Sequence, residues 1–199
     1  MTAVAGDRDT ATRSRILEAA EELTVAGGWS SVTMARIAEH VGVSRQTVYN
    51  EVGSKPDLAK ALILEQLAAF LDVVERAFDR HGDDPVAAIR QATRGVLEHA
   101  EGHALLRTVV AAPQGTDSDL LPFLTTRSAS LLGSSCDVLR DRLAPLTPHM
   151  SQAERDASID VIVRTVLSHV VQPSSTPRRT AESLGWTADR LLSARVPLE

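Results

Sequence analysis

Apolar positions along this chain recur three and four residues apart, the spacing that lines one face of a helix. Ile16, Leu17, Ala20 and Leu23 predict a first helix over residues 10–26, stopped at Gly27 and Gly28. Thr33 can cap a second helix to about residue 40, with Ile37 and Val41 facing inward. Gly42 supplies a tight turn suited to positive φ. Ser44 then caps a short helix that turns Val48 to the core. Ser54, with Asp57 three residues on and Pro56 in the first turn, is a further cap, an acidic variant of the capping box. It opens a long helix to about residue 81, whose apolar stripe is expected to be Leu64, Leu67, Phe70, Leu71 and Val74.

"GDDP" at residues 82–85 breaks the chain. Helical spacing resumes over 86–100 and 104–112, and "PQGTDSD" forms a loop. A Leu-rich helical region reaches about residue 143, with an interruption near Thr125, and "APLTPHM" follows as another loop. Ser151 caps a helix to about residue 171, "QPSSTP" ends it, and a last helix covers about 178–194. No stretch reads as a strand or repeat. The expected fold is all-α with about nine helices: an N-terminal three-helix helix-turn-helix segment over residues 10–56, and a longer helical domain over 57–199.

Composition sharpens this picture. Hydrophobic residues make up 43% of the 199, but aromatics only 3%, so the core is built from Leu, Val, Ile and Ala. The N-terminus carries charges and no apolar run, as a secretory signal would need. No stretch approaches the roughly 18 apolar residues of a membrane span. A single cysteine, Cys136, cannot form an internal disulfide and reads as a small core residue, so a reducing cytoplasm is the expected compartment and no membrane the expected partner. The net charge of −5 argues against a nonspecific nucleic-acid coat, though not against a reader that places a few contacts well.

The chemistry gathers in "MARIAEHVGVSRQTVYNEVGSK", residues 34–55. Ala38 is small where two helices would cross, Gly42 sits at the turn, and Ile37, Val43 and Val48 can lock the angle. The opposite face of the second helix carries Ser44, Arg45, Gln46, Thr47, Tyr49 and Asn50, all able to bond phosphates or base edges in a major groove. The extended segment "VTMARIAEHVGVSRQTVYNEVGSKPDLAKAL" resembles the DNA-binding segment of the TetR family of one-component regulators. Thr33, Ile37, Ala38, Gly42, Val43, Ser44, Thr47, Tyr49, Ser54, Lys55 and Leu58 carry the match. It departs where the family usually has Phe and this chain has Val52, and often His and Tyr where it has Asn50 and Glu51.

That resemblance implies phosphate contacts from Thr33, Ser44, Tyr49 and Lys55, with backbone contacts added by Arg13 and Arg15. Arg45, Gln46, Thr47 and Asn50 become the candidates for base edges. Residues 1–60 carry seven Lys or Arg against eight Asp or Glu, so affinity must come from placement and from dimerisation. The implied partner is pseudo-palindromic operator DNA, and the implied activity is that of a ligand-responsive repressor. "SRQTVYNE" and the Leu- and Val-rich remainder also loosely resemble actinobacterial members linked to alkane or fatty-acid metabolism. A small apolar effector, a fatty acid or acyl thioester, is expected. Leu67, Phe70, Leu71, Val74, His103, Leu105, Val109, Phe123 and Leu131 would line its cavity, although as sequence they are equally a plain core.

Two apolar stripes run along the helix after Ser151: Ile159, Ile162, Val163, Val166 and Val170, and beside them Ala157, Val161, Thr165 and Ser168. Two stripes exceed what one core needs. The smaller-residue stripe, with Leu184, Ala188 and Leu191 of the last helix, is the expected homodimer interface, in a four-helix arrangement. His99 and His103 lie four apart, but the Glu that a zinc protease places after its first His is missing, and ordinary pocket histidines are the simpler reading. Asp117 and Asp119 read as a solvated loop. No Gly-rich phosphate loop or Gly-x-Ser-x-Gly elbow occurs, so no cofactor, metal or catalytic residue is expected. The rival class is a helical small-molecule carrier or enzyme with a vestigial DNA-binding module.

Overall fold

A computed structural model describes the backbone of residues 3–111 and 129–193 and the side chains of 11–108 and 132–193. Among the described residues there are nine α-helices, one 3-10 turn and no strand. They are α1 (Ala3–Gly27), the turn Trp29–Ser31, α2 (Met34–Val41), α3 (Arg45–Val52), α4 (Lys55–Arg80), α5 (Pro85–Gly102), α6 (Ala104–Ala111), α7 (Ala129–Leu143), α8 (Gln152–Val171) and α9 (Pro177–Leu192). α1 begins earlier than expected from periodicity. The expectations at Thr125, Asp117, Asp119 and the end of the last helix lie outside the described residues.

Two compact units divide the chain. The first takes the described residues within 1–66 and 103–126, the second those within 67–102 and 127–199. The first is built on α1, whose Ile16, Leu17, Ala19 and Ala20 are buried, with Ile37, Ala38, Val41, Val48 and Val52 buried on α2 and α3. α6 packs on α1 as well, with Leu105 and Leu106 buried. On α4 the expected stripe is corrected. Leu58, Ala59, Leu62, Ile63, Gln66 and Leu67 are buried, whereas Leu64 is exposed. The polar residues interleaved with Leu58 and Leu62 hide a stripe that rotates around this long helix.

In the second unit α5 and α9 pack along their lengths. Phe78, Ala88, Ile89, Leu139, Leu143, Met150, Ile159, Ile162, Leu184, Ala188 and Leu192 form its core. Burying each large aliphatic side chain there contributes about 1.5–3 kcal/mol before entropy is counted. Gly95 allows α4 and α5 to approach closely: a Cβ there would stand 2.6 Å from Val73 Cγ1. Cys136 packs at the edge of this core, and burial pushes its thiol pKa up. Among the described residues no helix is long and apolar enough to cross a membrane.

Candidate nucleic-acid interface

Each element of the helix-turn-helix is closed by its own sequence. The Thr33 side chain accepts from Arg36 N at 3.2 Å and opens α2. Gly42 ends it in the left-handed region, φ 76° and ψ 36°, where side-chain-bearing residues are strained. Ser44 Oγ accepts from Thr47 N at 3.0 Å and lies 2.9 Å from Thr47 Oγ1, which fixes the first turn of α3. Val48 and Val52 bury one face of α3. The other face is open: Ser44, Arg45, Gln46, Tyr49 and Asn50 are exposed, Tyr49 to 50%, and Thr47 is half-buried. Six of the eight residues expected to address DNA thus share α3 and its N-cap, while Thr33 caps α2 and Lys55 opens α4. Within that face, Gln46 Nε2 donates to Asn50 Oδ1 at 2.9 Å.

Three basic residues are differently employed. Arg15 Nη2 donates to Val41 O, the last carbonyl of α2, at 2.6 Å. Arg13 donates to the carbonyl of Glu51, in the last turn of α3. A cation at a helix C-terminus meets unpaired carbonyls and the negative end of the dipole. Both guanidiniums thus fasten the two short helices to α1. Lys55 Nζ donates to Trp29 O at 2.9 Å and stands 5.0 Å from the Trp29 ring centroid, so its ammonium is held against the turn before α2. Trp29, buried beneath it, was not singled out by sequence reasoning. Its position between a double glycine and a double serine disguises a core residue as loop.

At the start of α4, Asp57 Oδ2 accepts from Ser54 N at 2.9 Å and from the Ser54 hydroxyl at 2.5 Å. The hydroxyl, then the backbone N–H, holds the Asp57 carboxyl below its ordinary pKa. This reciprocal cap starts α4 directly after α3, with only Gly53 and Ser54 between them. Glu65 is pushed the other way, by burial first and then by Glu21 and Glu18 of α1. His103 lies 3.5 Å from Glu21 Oε1 and answers part of that negative charge.

The residues expected to line an effector cavity are distributed as follows. Leu67 is buried on α4, and Phe70, Leu71 and Val74 are half-buried further along it, with Val74 against the second unit's core. Phe70 meets His99 edge to face at 5.3 Å. In the first unit Leu105 is buried and His103 half-buried. The side chains of Val109, Phe123 and Leu131 lie outside the described residues. Of the expected dimer residues, Ala157, Val161 and Ser168 are exposed on α8, with Val161 at 47%, and Thr165 is half-buried. Leu184 and Ala188 are a correction. Both are buried in their own unit's core, because α9 spends its apolar face on α5, and Leu191 packs against the same cluster. The exposed apolar residue of α9 is Trp186, at 64%. Its ring carries Arg190 at 5.3 Å.

The comparisons with known proteins agree with this geometry. Residues 16–62 match the pattern of bacterial regulatory proteins of the tetR family, and residues 84–190 that of the bacterial tetracyclin repressor C-terminal domain. The chain is 31% identical over 179 residues to the HTH-type transcriptional regulator AlkX of Mycobacterium tuberculosis, covering 86% of this chain and 81% of that protein. It is 31% identical over 101 residues to the HTH-type transcriptional repressor AcnR of Corynebacterium glutamicum, covering 51% of this chain and 48% of AcnR. Its fold is similar to the crystal structure of the TetR family repressor AlkX from a Dietzia strain, implicated in biodegradation of n-alkanes. There the TM-score is 0.73 at 25% identity, over 92% of this chain and 98% of the other. Family and fold are those of transcriptional regulators rather than enzymes, which removes the rival enzyme reading. With both family patterns matched and a relative aligned over most of its length, the chain belongs to the TetR family of DNA-binding transcriptional regulators.

Proposed function

We propose that this regulator is a ligand-responsive repressor that acts as a homodimer on a pseudo-palindromic operator, in the cytoplasm. Residues 10–56 read DNA, and residues 57–199 dimerise and bind the effector. The observation that carries the DNA half is the division of α3 into a buried Val48–Val52 stripe and an exposed polar face. On that reading Thr33, Ser44, Tyr49 and Lys55 touch phosphates, and Arg45, Gln46, Thr47 and Asn50 face base edges. One such helix reads only a few base pairs, so two copies about one turn of DNA apart are needed for selectivity.

The effector is a small apolar molecule, a fatty acid or acyl thioester. Its support is the similarity to the two AlkX proteins, one of them implicated in n-alkane biodegradation. Effector binding would favour one spacing of the two reading helices over another and so release the operator. Contact between α6 and α1, reinforced by His103 and Glu21, is a physical link through which such a change reaches the helix-turn-helix. The test is selection of bound sequences from random duplex DNA, with and without long-chain fatty acids and acyl thioesters. A palindromic consensus that is released by one of them is expected. A consensus insensitive to every apolar compound would leave a DNA-binding regulator without this mode of control, and enrichment of no sequence would defeat the operator reading.

A further inference from the structure

Two exposed side chains on the open face of α3 are bonded to each other. Gln46 and Asn50 lie one turn apart, and at about 100° per residue they point nearly opposite Val48 and Val52. Gln46 Nε2 donates to Asn50 Oδ1 at 2.9 Å, and both side chains are exposed. Ser44 and Thr47, the nearby hydroxyls, are closed on one another and do not compete for this pair. Tyr49 and Arg45 flank it on one side of the helix.

That single bond has a chemical direction. It uses one Gln46 N–H and one lone pair of the Asn50 oxygen. Gln46 keeps its Oε1 acceptor with a second N–H beside it, and Asn50 keeps two N–H donors. An acceptor beside a donor on one planar amide complements adenine in the major groove, where N6–H donates and N7 accepts. Guanine would set its O6 acceptor against Gln46 Oε1, thymine offers an acceptor and a methyl group, and cytosine offers a donor without the adjacent acceptor. An untethered exposed Gln also loses more rotamer freedom on docking than one already held by its neighbour.

We propose that Gln46 reads an adenine in each operator half-site and that Asn50 is the positioning residue that orients its amide for that base. The donors left on Asn50 face the neighbouring pair, where they suit thymine O4 or the acceptors of guanine. The inference rests on α3 being the groove-facing helix, and it adds to that reading a specific base and a coupling between two side chains.

The experiment measures affinity for a selected operator and for its single-base variants. Wild type, Gln46→Ala, Asn50→Ala, the double variant and Asn50→Asp are compared. The position at which Gln46→Ala changes preference should be adenine in the wild-type consensus, favoured by about ten- to hundred-fold, the worth of one bidentate pair. Asn50→Ala should lose most of that preference, and the double variant should lose no more than Gln46→Ala alone. Asn50→Asp keeps an oxygen to accept from Gln46, so it should retain the adenine preference while total affinity falls through repulsion from phosphate. Replacing that adenine with 7-deazaadenine should weaken wild type and leave Gln46→Ala unaffected. A different base at the Gln46-dependent position, or an Asn50→Ala protein that keeps full adenine preference, overturns the proposal while leaving operator binding intact. Selection that enriches no sequence overturns both together. The exposure of both side chains keeps these variants folded, which circular dichroism verifies.

Discussion

Gln66 is buried to 5% exposure on α4, and among the described residues its Oε1 finds no hydrogen-bond donor. An acceptor stripped of water without a partner costs about 1–3 kcal/mol. Gln66→Met keeps the volume and removes the polar group, so the variant should unfold at higher urea, with a gain of about 1 kcal/mol or more. Equal or lower stability by equilibrium unfolding would show that the oxygen is satisfied in the folded protein. The same residue marks a boundary of sequence reading. A glutamine between Glu65 and Leu67 gives no sign that it lies on the inner side of a helix. Lys55 makes the point from the other direction. Its place in the resembled segment was readable, but its bond to Trp29, 26 residues away, is a tertiary fact that spacing cannot encode. Arg15 reaches Val41 across the same separation, a helix-capping bond that spacing does not encode either.

Helix boundaries were far more legible, because the residues that stop and start a helix act within a turn of themselves. Gly42, Ser44, Ser54 and Ser151 were each assigned from sequence, and each sits at its turn or cap. Two of these caps are pH-dependent. Asp57 is lowered by the hydroxyl and then the N–H of Ser54, and Glu154 in the same order by Ser151, in a complete capping box. A carboxyl with a depressed folded-state pKa is ionised in both states at neutral pH, where its full stabilisation is present. That stabilisation begins to fade below the unfolded value, about pH 4, and is lost as pH falls through the folded value. Asp57→Ala with Glu154→Ala should therefore lower the urea midpoint at pH 7 and converge with wild type towards pH 3. A gap of constant size across that range would mean that the two carboxylates contribute packing alone. Amphipathic faces were less legible than caps. The stripe expected through Leu64 failed because α4 turns different faces inward along its length, at Leu58 and Leu62 first and at Ala77 and Phe78 later.

At the scale of the whole molecule, the two stripes foreseen on α8 separate at most of their positions, with Val163, Thr165 and Val166 half-buried between them. Ile159, Ile162 and Val170 are buried in the second unit, while Ala157, Val161 and Ser168 remain on the surface. α9 adds Trp186 as an exposed aromatic, and Leu184 and Ala188 are withdrawn into the core. Sequence periodicity could find both apolar sets but could not tell which face α5 would take, since Leu, Ala and Trp suit either. A regulator that must place two reading helices one DNA turn apart needs a self-complementary face, and a two-fold axis supplies the spacing. We propose the exposed surface of α8 around Val161 for this role, with Trp186, exposed on α9, as a further candidate. Large aromatics in such patches contribute disproportionately to association. Val161→Glu tests this directly. Val161 is already half open to water, so a carboxylate costs the single chain little. Across a two-fold axis it would bring two carboxylates together and strip them of solvent. Sedimentation of the variant should show monomer at micromolar concentration, with helicity retained and operator binding lost. Trp186→Ala should weaken the dimer without unfolding it. A Val161→Glu protein that still sediments as a dimer would move the interface away from this face of α8.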